Sequence, residues 1–149
     1  MSDIPPDSPI ASRMANATPQ ALALGFETLS MTAGRASMKV PWREDLVETT
    51  DSRALASGVM TTLMDHCCGM AVAAIEEDRF PTATLDLRID FLRPAAPGAG
   101  VMVEAHCYKS TDSLAFVRAT AWDDRPQDPI ATVQAAFVLN GPQSARPAS

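Results

Sequence analysis

The sequence predicts an α+β fold in which one long central helix is wrapped by a curved antiparallel β-sheet. Three observations carry that expectation. Between Arg53 and Glu76 lies a run of 22 residues whose only formally charged member is Asp65. From Ala83 onward the hydrophobicity alternates with period two through four segments joined by short links. Finally, 149 residues with 46% hydrophobic but only 5% aromatic side chains suffice for one core of small, flexible groups, which suits close helix–sheet contact. A helix that is apolar nearly all round needs protein on most sides, so the sheet has to curve around it.

Each element follows in order. Residues 1–14, rich in Pro, Ser and Asp without periodicity, and 141–149, of similar character, read as disordered tails around a single domain over 15–140. Thr18 as a cap and Pro19 at the first helical position predict a short helix ending near Gly25. From Gly34, Ala36, Met38 and Val40 alternate with Arg35, Ser37 and Lys39 until Pro41 stops a half-buried strand. In the long apolar run, Val59, Leu63, Cys67, Met70 and Ala74 fall on one helical stripe. The run is long enough for a bilayer, but Ser57, Gly58, Thr61, Thr62, His66 and Gly69 dilute it and the central Asp65 is costly in lipid; a helix buried in protein is expected instead.

After a break at Arg79-Phe80-Pro81, Ala83, Leu85, Leu87, Ile89 and Phe91 form the apolar face of a strand, opposite Thr84, Asp86, Arg88 and Asp90. Pro94, Pro97, Gly98 and Gly100 mark a turn. Three more strands run from Val101 to about Lys109, Leu114 to Trp122 and Ile130 to Leu139. Strands in series with short links predict an antiparallel meander. The whole resembles the hot-dog fold.

Charge and cysteine usage narrow the function. Twelve Lys and Arg against 18 Asp and Glu leave a net charge of −6, without the basic field that nucleic acid or an anionic membrane requires. An anionic ligand would need cations gathered locally. Cys67, Cys68 and Cys107, odd in number with two adjacent, are a poor disulfide framework and favour a reduced, cytoplasmic setting. They lack zinc-ligand spacing, and His66 and His106 add no ligand pattern, so no metal is expected. The N-terminus lacks the pattern of a secretory signal.

The segments LASGVMTTLMDHCCGMAVAA (55–74), PTATLDLRIDFLRPAAPGAGV (81–101), SLAFVRATAW (113–122) and DPIATVQAAFVL (128–139) carry a family likeness. Over residues 24–140 the chain resembles the phenylacetyl-CoA-thioesterase-like (PaaI-like) branch of the hot-dog acyl-CoA thioesterases. That resemblance implies an acidic catalytic residue seven positions after a His-Gly-Gly motif at the helix start. Here the motif reads Ala56-Ser57-Gly58 and the acidic position is Asp65. It also implies that Thr84 matches a Ser or Thr that orients water, and that an assisting Asn would fall near Thr50, where the chain has none.

Thioester hydrolysis needs a base or nucleophile and N–H donors aimed at the developing oxyanion. The unpaired amides of Ser57 and Gly58 at a helix N-terminus are suitable donors. Eight residues at 1.5 Å rise separate Ser57 from Asp65 by about 12 Å, too far for one chain to complete the site. A two-fold homodimer with shared sites is therefore expected; the resemblance implies the same, often doubled to a homotetramer. Arg88, Arg93, Lys109 and Arg118 are candidates for binding coenzyme A phosphates, Arg93 foremost. Coenzyme A enters only as part of the substrate, and no other cofactor is expected.

Read alone, a mid-helix Asp65 fits a buried residue satisfied by Thr61, Thr62 or backbone, and it is the family position that points to catalysis. His66, about 100° away on the helix, reads as packing or interface, and Cys67 and Cys68 as packing. Met31, Met38, Met60, Met64, Met70 and Met102 read as core, with room for one or two in an acyl tunnel. Two other functions stand beside hydrolysis: a hot-dog domain that binds acyl-CoA without turnover, and a hydratase or dehydratase. The latter needs a His paired with an acid, a spacing absent from the long helix.

Overall fold

In the computed structural model, which describes residues 18–76 and 80–140, α1 (Pro19–Leu24) begins and ends as its capping residues dictate. The Thr18 hydroxyl accepts from the Ala21 N–H, and Gly25 adopts a left-handed φ of 73° that closes the last turn. The expected terminal tails lie outside the described residues, as does Arg79 of the expected break. A strand that the alternation did not reveal, β1 (Glu27–Thr32), follows and pairs with β2 (Arg35–Val40). A bulge between Thr28 and Ser30 breaks its period, and its side chains are mostly polar or exposed.

A 3-10 turn at Glu44–Leu46 and a bridge between Val47 and Leu55 lead into α2 (Ser57–Ala73), the expected long helix. Its first turn is largely exposed, whereas Cys67 through Ala74 are buried on every side. No helix among the described residues is long and apolar enough to cross a membrane. The remaining strands are β3 (Pro81–Phe91), β4 (Val101–Ser110), β5 (Leu114–Trp122) and β6 (Ala131–Leu139).

All six form one antiparallel sheet in the order β1-β2-β4-β5-β6-β3. β4, β5 and β6 are the expected meander. β3 departs from it, pairing with β6 at the far edge while β2 takes the place beside β4. The link over residues 92–100 is too long for a tight hairpin, and crossing lets Leu87 and Ile89 join Ala135 and Val133 on the face that receives the helix.

That inner face is floored with small side chains. Ala36, Ala105 and Ala119 stand side by side across β2, β4 and β5, all buried. The helix settles so closely that the Cys67 thiol lies 3.5 Å from the Ala36 carbonyl and 3.7 Å from that of Val103. At the mouth of β4, a side chain on Gly100 would meet the Val40 carbonyl at 2.8 Å, so only glycine lets these strand ends approach.

Leu63, with no exposed surface, sits where helix and sheet meet. Leu63→Ala is expected to lower unfolding free energy by about 2–5 kcal/mol in denaturant titration. A loss below 1 kcal/mol, on the same scale, would mean that the helix is not enclosed.

Candidate active site

Two open clefts lie at opposite ends of the exposed part of α2. The first, of about 570 Å³, is lined by Asp65, His66, Gly69, Phe80, Thr84 and Phe137 among others. Asp65 Oδ1 accepts a hydrogen bond from the Thr84 hydroxyl at 2.9 Å. The sequence alternation set Thr84 opposite the apolar face, and the structure corrects this. β3 pairs Thr84 with Phe137 and Asp86 with Ala136, an extra residue on β3 at Leu85 that shifts the phase. Thr84 thereby joins Leu87 and Ile89 on the inner face. Thr62, one local partner foreseen for Asp65, instead donates to the Gly58 carbonyl at 2.8 Å. His66 shares the cleft, its ring tilted against Phe26 with centroids 6.1 Å apart.

The second cleft, of about 490 Å³, opens at the N-terminus of α2 between Glu48, Leu55, Ser57, Met60, Phe91 and Leu92. It shares no lining residue with the first, in keeping with the 12 Å separation of Ser57 and Asp65 expected along a helix. Its walls are mostly apolar, and open space surrounds Gly58.

Glu48 is a participant that the sequence did not reveal. Its Oε2 accepts from the Ser57 N–H at 3.0 Å. The cap residue Ala56 has no side chain able to do so, and the carboxylate supplies the missing cap with favourable charge at the positive helix end. Glu48 is aimed there by the Val47–Leu55 bridge and by its own N–H to the Ala54 carbonyl at 2.9 Å. Glu48 stands nine residues before Ser57, outside any capping-box spacing, so no local pattern signals it. Of the two expected oxyanion donors, the Ser57 amide is thus engaged, while no partner is recorded for that of Gly58 among the described residues.

The four expected phosphate-binding cations do not gather at either cleft. Arg93 borders the second cleft, but its guanidinium grips Asp123 with both arms, at 2.7 and 2.8 Å, and also bonds the Asp128 carbonyl at 2.6 Å. It is a clamp between the end of β3 and the β5–β6 link. Arg88 and Arg118 lie on the outer face of the sheet, flanking Gln134 in register across β3, β5 and β6. Arg88 pairs with Asp90 at 3.4 Å, and the Arg118 guanidinium lies 4.1 Å from the centroid of the Tyr108 ring. Lys109, past a bulge in β4, is exposed opposite the outward-facing Phe116.

Cys67 and Cys68 are buried, and burial pushes both thiols up, that of Cys68 to about 12 with the Asp65 charge adding to it. Neither supplies a thiolate near neutrality. Among the described residues no group of three or more His, Cys, Asp or Glu is arranged to hold a metal ion.

A family model described as the thioesterase superfamily matches residues 55–130. A protein of Pseudomonas aeruginosa of solved structure is 32% identical, with a TM-score of 0.78 over 87% of this chain and 96% of its own. A thioesterase family protein of Silicibacter pomeroyi is 24% identical, with a TM-score of 0.76 over 89% and 99% of the two chains. The Escherichia coli PaaI protein of the phenylacetic acid degradation operon is 20% identical, with a TM-score of 0.73 over 88% and 91%. These neighbours share the hot-dog fold. No curated protein matches the chain.

The Arg93–Asp123 clamp has a pH consequence. The guanidinium, helped by the Ala96 and Arg125 N–H groups, holds the buried Asp123 carboxyl well below the usual carboxylate range. A carboxyl depressed on folding stabilises fully above its unfolded pKa, near 4, and that contribution is lost as the pH falls toward the folded value. Asp123→Asn is expected to destabilise the fold by about 3 kcal/mol at pH 7 and to flatten the loss of stability below pH 4. Denaturant titrations from pH 7 to 2 check both; an unchanged acid slope would contradict the assignment.

Proposed function

The chain belongs to the thioesterase superfamily, and from that premise we propose that it hydrolyses an acyl-coenzyme A thioester to the free acid and coenzyme A, with Asp65 as general base or nucleophile. The observation that carries this reading is the Thr84–Asp65 hydrogen bond, which orients one carboxylate at the wall of an open cleft. As a base, Asp65 takes a proton from water as the oxygen adds to the thioester carbonyl carbon. The negative charge then develops on the former carbonyl oxygen, where the Gly58 amide, and the Ser57 amide once Glu48 yields it, donate hydrogen bonds. Collapse breaks the C–S bond, and the sulfur leaves as a thiolate that takes up a proton. As a nucleophile, the same carboxylate forms an acyl anhydride that water then cleaves. In either case Thr84 donates to Asp65 and keeps its oxygen lone pairs for a water.

The site is completed by a second copy of the chain. β3 is an edge strand of the sheet, with Leu85 60% and Phe91 44% exposed among charged neighbours, and its unpaired backbone groups are open to strand pairing. It begins beside the first cleft, at Pro81 to Thr84, and ends beside the second, at Phe91. Two β3 strands paired antiparallel about a two-fold axis near Arg88 would therefore join the Asp65 cleft of each copy to the helix N-terminus of the other.

One observation favours a second reading, in which the chain binds acyl-CoA without turnover: the Glu48 carboxylate sits on an amide that hydrolysis requires.

Thiol release from aryl-, short- and long-chain acyl-CoAs separates the readings. Hydrolysis is expected in the wild type, with kcat about 10² to 10⁴ lower in Asp65→Asn. Thr84→Ala, losing a hydrogen bond to a charged group, is expected to be about tenfold slower. Full activity of Asp65→Asn would refute the mechanism, and tight binding without release in the wild type would favour the second reading. Sedimentation is expected to find a dimer or tetramer, and Leu85→Asp to yield inactive monomers; active monomers would refute the shared site.

A further inference from the structure

We infer that Arg53 is the cation that holds the phosphate groups of the coenzyme A portion of the substrate, an inference that rests on the acyl-CoA reading above. A net charge of −6 means that the protein as a whole repels this ligand, so a local cation has to offset the field. Among the described residues, Arg43, Arg88, Arg93 and Arg125 have carboxylate partners. Arg35, Lys39, Lys109 and Arg118 belong to the outer face of the sheet, away from both clefts. Arg53 remains. It has no carboxylate partner among the described residues, it is exposed, and it stands at the rim of the cleft at the helix N-terminus, outside its lining but between Ser52 and Ala54, which both line it.

Its setting is built rather than incidental. The Arg53 guanidinium carbon lies over the Trp42 ring, 4.8 Å from the centroid. Its backbone carbonyl accepts both the Trp42 indole N–H at 2.8 Å and the Gly98 N–H at 3.0 Å. Arg53 is also the one non-glycine residue with positive φ among those described, at 53°. That conformation costs a bulky residue on the order of 1 kcal/mol, and glycine would adopt it freely. The two hydrogen bonds on its carbonyl hold that conformation and fix the point from which the side chain reaches the Trp42 ring. A guanidinium lying on an aromatic face keeps the N–H groups of its own plane available for two-pronged bonding to phosphate. Four residues of chain reach at most about 14 Å, so Arg53 stands within that distance of Ser57 at the helix N-terminus.

The test compares the full chain with its Arg53→Gly and Arg53→Lys variants on acyl-CoA, acyl-dephospho-CoA and the matching acyl-pantetheine thioester. Arg53→Gly removes the cation while relieving the backbone, so its melting temperature is expected to be no lower than wild type. Its KM for acyl-CoA is expected to rise about tenfold with kcat unchanged, whereas its kinetics on acyl-pantetheine stay the same. Arg53→Lys is expected to fall between. A smaller effect on acyl-dephospho-CoA would assign the contact to the 3′-phosphate, and an equal effect to the diphosphate. An unchanged KM for acyl-CoA, or equal losses with acyl-CoA and acyl-pantetheine, would overturn the inference while hydrolysis itself stands. If the wild type cleaves no thioester, the hydrolysis reading fails separately, and calorimetry with coenzyme A itself decides: binding about tenfold weaker in Arg53→Gly supports the phosphate contact, and equal affinity overturns it.

Discussion

The Cys67 thiol, within 3.7 Å of two strand carbonyls, measures how closely α2 rests on the sheet, and most of the molecule follows from that approach. Larger side chains on either surface would push the helix away. Alanines at 36, 105 and 119 on the sheet, and Ala71 and Ala74 on the Cys67 side of the helix, remove that obstacle. The same smallness explains the low aromatic content and the use of methionine, whose flexible side chain fills the gaps that small residues leave. A helix so enclosed can present only its first turns to solvent. Asp65 stands at the limit of that exposed stretch, and its orientation becomes a matter of which strand comes beside it.

That strand is β3, and two features of it prepare the site. The bulge at Leu85 turns Thr84 inward to meet Asp65, and edge placement leaves the strand free to pair. Both depend on the chain crossing to β6, which the long link after Phe91 permits. The Arg93–Asp123 clamp secures the crossing by fixing the end of β3 to the link between β5 and β6. An arginine at that strand end could have served a ligand; here it serves the topology.

Charge is distributed by the same logic. Carboxylates occupy the two places where α2 is accessible, Glu48 at its N-terminus and Asp65 in its middle, one capping and one oriented by a hydroxyl. A negative charge at the helix end stabilises the resting molecule, and in the proposed reaction the substrate carbonyl oxygen would compete with it for the Ser57 amide.

The sequence by itself determined the α+β class, the enclosed helix, the caps of α1, most strands, and the family, through the likeness of the segments at 55–74, 81–101, 113–122 and 128–139. These are legible because periodicity, capping and short-range spacing are local properties of a chain. It did not reveal β1, whose bulge hides the alternation, nor the displacement of β3, since nothing in a strand's own residues names its neighbour. It put Thr84 on the outer face by alternation, and Arg93 among the free cations. Only the tertiary structure decided the phase of β3, the capture of Arg93 by Asp123, the reach of Glu48 to the helix end and the setting of Arg53 on Trp42. Each of these joins residues from separate elements, and such pairings are chosen by packing around α2, which no local pattern encodes.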